Sequence, residues 1–115
     1  MNLDDLVAEI RNISADPAVQ GVADQLAAWK ESSDTADELA VAIERHIGHV
    51  WIASVQDHER LYALWSAFRR ESIEAIHGMT INERLYSFGL LDRYYALPSG
   101  SDRQAFYTKL HAGEA

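Results

Sequence analysis

Cysteine is absent from this chain of 115 residues. That excludes disulfides, cysteine-based zinc sites, iron–sulfur clusters and thiol catalysis, and it suits a reducing compartment. Proline occurs only as Pro17 and Pro98, and six glycines are the remaining breakers, so little interrupts helical segments. No apolar run approaches the roughly 18 residues of a membrane span. The opening Met-Asn-Leu-Asp-Asp carries acids where a secretory signal needs bases, and a cytoplasmic location is expected. Positive charge is scarce at one end. Residues 1–44 hold ten acids against two bases, Arg11 and Lys30, whereas residues 45–115 hold eight of each sign. The whole formal charge of −8 therefore lies in the first 44 residues. Such a chain offers no basic face for nucleic acid and none for an anionic membrane.

What is present has helical period. Leu3, Leu6, Val7, Ile10 and Ile13 form one apolar stripe, and Val19, Val22, Ala23, Leu26 and Trp29 a second. Asp16-Pro17 between them is an N-cap followed by a proline suited to the first helical position. Thr35-Ala-Asp-Glu38 has the capping-box pattern and opens a helix carrying Leu39, Ile43, Ile47, Val50 and Trp51. From 36 to 77 the pattern allows one helix or two. A break near Ser54 is expected, giving 36–53 and 56–77, because an uninterrupted helix of that length is rare in a small domain. His77-Gly78 is a stop. Thr80-Ile-Asn-Glu83 and Ser101-Asp-Arg-Gln104 are further capping boxes, with Gly89 a possible break between them. No segment shows convincing strand alternation. The expected fold is all-α, a single domain over 1–115 built as an irregular bundle of five or six helices.

The residues from Met79 run Thr80-Ile-Asn-Glu-Arg-Leu-Tyr-Ser-Phe-Gly-Leu-Leu-Asp-Arg-Tyr94, followed by Asp102-Arg103. This stretch, 79–103, resembles the opening of a group of very short bacterial helical proteins. Their pattern is N-E-R-L, an aromatic residue, two further residues, then G-L. The turn at Leu97-Pro98-Ser99-Gly100 departs from it. The resemblance implies a bacterial, helical, non-catalytic accessory protein. It leaves open whether Glu83 and Arg84 form a structural pair or a contact.

No catalytic motif appears: there is no zinc-protease helix, phosphate loop, nucleophile elbow or calcium loop. His46 and His49, three apart on one predicted helix, are the candidates for a metal. Zinc needs three or four ligands, and no cofactor is expected. Most of the aromatic residues fall on apolar stripes and read as core. Tyr94 and Tyr95 are adjacent, so burying both is difficult and one is expected at the surface.

Six of the ten N-terminal acids lie near predicted helix starts, where they oppose the helix dipole. Yet Asp5 and Glu9, and Asp34 and Glu38, are like charges four apart, a spacing at which stability alone would favour lysine. The expected function is therefore protein binding without catalysis. Its concrete form is an immunity-type protein that neutralises a basic partner, such as a toxin, through Asp5, Glu9, Asp24, Glu31, Asp34, Asp37 and Glu38. The alternatives are self-association through Tyr94 or Tyr95, and a His–carboxylate metal protein.

Overall fold

The computed structural model describes residues 1–98 and 100–112, with the side chains of 100–102 left aside. Among these, seven α-helices follow one another and no strand occurs: α1 Leu3–Arg11, α2 Pro17–Trp29, α3 Ala36–His49, α4 Val55–Phe68, α5 Ile81–Ser87, α6 Leu91–Tyr95 and α7 Gly100–Lys109. The all-α expectation holds. The count exceeds five or six because Gly89 divides the segment after Thr80. Gly89 has φ +69°, the left-handed turn that ends a helix, and Leu90 N–H bonds back to Leu85 O at 2.8 Å. The Asp4 carboxylate lies 2.9 Å from where a Cβ would stand on Gly89, so this turn also admits α1 closely.

The first three helices begin on their own side chains. Asn2 and Asp5 form a capping box at α1, Asp16 accepts from Ala18 N–H at α2, and Thr35 and Glu38 form the box expected at α3. Leu3, Leu6 and Ile10 of α1 are buried, as are Val19, Val22, Ala23, Leu26 and Trp29 of α2. The pair is antiparallel: Lys30 reaches Asp4 at one end and Arg11 reaches Asp24 at the other. Each fully buried leucine here is worth about 2 kcal/mol of transfer free energy.

The chain breaks between α3 and α4 as expected, with Ser54 as N-cap of α4 accepting from Asp57 N–H. The break comes earlier than 53. Val50 is already extended (φ −84°, ψ 149°), so Trp51 loses its helical phase. Trp51 was expected on the core stripe and is instead 82% exposed, with Val55 72% exposed beside it. Tyr62 and Tyr86 are also exposed, because the buried stripes run through their neighbours Leu61 and Leu85. Helix α4 packs against α1, and just past its end Arg69 reaches Glu44 of α3 at 2.6 Å. It then widens into one π-turn over Arg69–Ile73 and ends in a 3-10 turn at Ile76–Gly78, where the stop was expected. An aromatic column joins the halves: Trp29 to Phe88 (5.4 Å), Phe88 to Phe68 (5.5 Å) and Phe68 to Trp65 (6.2 Å).

Candidate functional site

Helices α2 and α3 lie side by side, joined by the polar loop 30–35. That loop is pinned where Trp29 Nε1–H donates to Thr35 O at 3.1 Å and Ser32 Oγ–H donates to Trp29 O at 2.8 Å. Three adjoining depressions along the two helices share Ala42. Together they form a furrow with Ala28 and Ala42 in its lining. Asp34, Asp37 and Glu38 stand at one end, and Arg45 and His49 at the other. Val41, 57% exposed, is its apolar prominence.

The structure brings together only some of the carboxylates expected to meet a partner. Asp34, Asp37 and Glu38 share the start of α3. Asp5, Glu9 and Asp24 belong to the α1–α2 pair and do not line the furrow. Several also have internal duties. Asp5 and Glu38 accept from the backbone N–H of Asn2 and Thr35. Asp24 pairs with Arg11, Glu31 with Arg93, and Asp37 Oδ2 lies 3.4 Å from His111 Nε2. Glu9 and Asp34 have no ion pair among the described residues. Exposed pairs of this kind contribute little to stability and leave the carboxylates accessible.

Tyr94 is buried. Its hydroxyl shares a 2.7 Å hydrogen bond with that of Tyr107, and the Arg103 guanidinium sits 4.6 Å from its ring centre. The hydrogen bond from Tyr94 holds the Tyr107 phenol above its ordinary value. Tyr95 is the exposed member of the pair, donating to Asn82 Oδ1 at 2.7 Å. The partner contact expected of Tyr94 or Tyr95 is thus open to Tyr95 only. His46 packs against Gly21 of α2, while His49 bonds the carbonyl of Arg45 on its own helix. No group of three His, Cys, Asp or Glu side chains converges among the described residues.

Two buried cations organise the end of the chain. Arg84 donates from Nε to Met79 O (3.1 Å) and from Nη1 to Leu110 O (3.0 Å) and His111 O (2.8 Å). Those last carbonyls close α7, whose turn carries His111 at φ 58° and Ala112 N–H bonded to Tyr107 O at 2.7 Å. Arg84 is therefore a structural clamp. Its neighbour Glu83 is occupied separately in a capping box with Thr80, which holds the Glu83 carboxyl below its ordinary value. Lys109 Nζ donates to Trp29 O (2.7 Å), Ser32 O (2.6 Å) and Asp34 O (3.0 Å), and lies 4.0 Å from the Trp29 ring centre. Burial pushes Lys109 down to about 8, against the opposing pull of Asp34, Glu31 and Glu38. Lys109 thereby holds in place the loop that carries Asp34 and leads into α3. Nothing in the local sequence around Lys109 marked it for this, since its partners lie 75 to 80 residues away. The capping box expected at 101–104 does not open α7, which begins at Gly100, and the side chains of Ser101 and Asp102 are outside those described.

No family model, no curated protein and no solved structure matches the chain. Among the described residues no helix is long and apolar enough to cross a membrane.

Proposed function

We propose that this protein works by binding another protein, without catalysis, as an immunity-type protein that blocks a basic toxin in the bacterial cytoplasm. The observation that carries the reading is the furrow between α2 and α3: a lining that includes two alanines, an exposed valine, and three carboxylates at one end. Small lining residues let a partner's backbone or long side chains approach. The carboxylates receive lysine or arginine and steer the encounter, which makes association fast and salt-sensitive. The lines of support are this geometry together with the one-sided charge of the sequence.

The test is capture of the partner from native lysate at low salt, followed by stopped-flow association with the purified pair. Raising salt and introducing Asp34→Lys with Asp37→Lys should each slow association about tenfold or more. Asp24→Lys, away from the furrow, should have less effect. Association that ignores both salt and the Asp34/Asp37 reversal removes the reading.

A second reading, self-association, is favoured by the exposure of Trp51 and Val55 around the α3–α4 turn. It moves the aromatic face from Tyr94 or Tyr95 to this turn. Light scattering on the wild type and Trp51→Ser decides it: a dimer that dissociates in the variant supports it, and a wild-type monomer at high concentration ends it.

A further inference from the structure

A separate cavity of about 540 Å³ lies between the C-terminal end of α2 and helices α6 and α7, within the size range of small-ligand sites. Leu97, Ala105 and Phe106 supply apolar wall. Both lysines of the chain, Lys30 and Lys109, line it together with Arg93, against a single lining carboxylate, Glu31. In a chain of net charge −8 this is a local reversal of sign.

The three cations differ in what they have left to give. Lys109 directs its three N–H groups at the carbonyls of Trp29, Ser32 and Asp34. Those carbonyls lie at and just beyond the negative end of α2 and would repel an anion. Lys109 is thus a positioning residue that cancels their charge beneath the cavity. Lys30 Nζ has one partner among the described residues, Asp4 at 2.7 Å, and Arg93 has one, the carboxylate of Glu31. An ammonium carries three donors and a guanidinium five, so both keep N–H groups for a ligand.

We propose that this cavity binds a small organic anion, an acidic head group on a flat apolar body. The head meets Lys30 and Arg93, and the body lies on Leu97 and Phe106. A neutral molecule would leave those donors unused, and a cation would meet the like charges of Lys30 and Arg93.

The probe is anilinonaphthalene sulfonate, titrated into the folded protein and followed by fluorescence. One saturable site is expected, with a rise in the thermal midpoint, since the ligand binds the native state. Uncharged phenylnaphthylamine should bind about tenfold more weakly, and Arg93→Gln should weaken the sulfonate about tenfold. Ala105→Trp, at an exposed wall position, should abolish saturable binding. Non-saturating binding, a lowered midpoint, equal binding of the uncharged analogue, or undiminished binding by a folded Arg93→Gln variant would each overturn the proposal. The comparison of the two probes needs no variant, so a variant that fails to fold does not shield it.

Discussion

The first three helices and the last three solve the same problem in opposite ways. Helices α1–α3 have 9, 13 and 14 residues, each open on an N-cap side chain, and bury unbroken apolar stripes. Helices α5–α7 have 7, 5 and 10 residues and bury far less along each stripe. A short helix cannot offset the cost of its own ordering by apolar burial. The later half compensates with long side chains that reach across the molecule: Arg84 to the end of α7, and Lys109 to the end of α2. The difference bears on charge as well. The bases that balance the later half on paper include two sunk into backbone carbonyls, while the acids of the first half stay mostly at the surface.

If that contrast is right, the two halves fail differently. The largest expected effect is Leu26→Ala, from a fully buried site in α2. It should cost about 3 kcal/mol and unfold the whole domain together in a urea melt. Next is Arg84→Met, expected to cost about 2 kcal/mol through three carbonyls left without their charged donor. Here amide exchange should show residues 105–112 losing protection before α1 and α2 do. Simultaneous loss everywhere would erase the distinction between the halves.

Lys109 sharpens the same point through pH. Its folded value of about 8 lies below the ordinary 10.5, so between those values the unfolded chain holds the proton that the folded chain has released. Stability should therefore rise with pH across that window, and the gain should vanish as pH falls through 8. Urea midpoints at the two ends of the window, compared with Lys109→Met, isolate the effect. A variant with the same rise as wild type would assign it elsewhere. The smallest expected effects are Thr35→Ala and Thr80→Ala, one capping box in each half, at about 1 kcal/mol apiece. Thr80→Ala should also raise the Glu83 carboxyl only part of the way toward its ordinary range in an NMR titration, because the Thr80 backbone N–H, the larger cause of the lowering, is kept.

Much of the secondary structure was legible because its causes are local. Apolar spacing of three and four residues exposed the stripes of α1, α2 and α4, and the hydroxyl–carboxylate pairs at Thr35 and Thr80 marked two starts. The start of α1 at Asn2 uses the same device with Asp5 in place of glutamate. Trp51 misled because periodicity assumes that the helix continues, and a turn one residue after His49 removes that assumption. The acids of the furrow were named among the candidates, but so were acids on α1 that never join them. Charge content is a property of the chain, whereas which charges share a face depends on how the helices pack.

From the sequence alone came the helical class, the order of most elements, the main buried stripes and the surplus of acid in the first 44 residues. Each depends on neighbours within a turn or on simple counting. Only the tertiary structure decided that Tyr94 is inside and Tyr95 outside, that Arg84 is a clamp, that Lys109 underlies the loop before α3, and that both lysines gather at one cavity. Those outcomes rest on contacts between residues 13 to 80 positions apart, and at such separation no local propensity chooses the partner. The packing of the whole chain does, by placing Arg84 and Lys109 where carbonyls are left open.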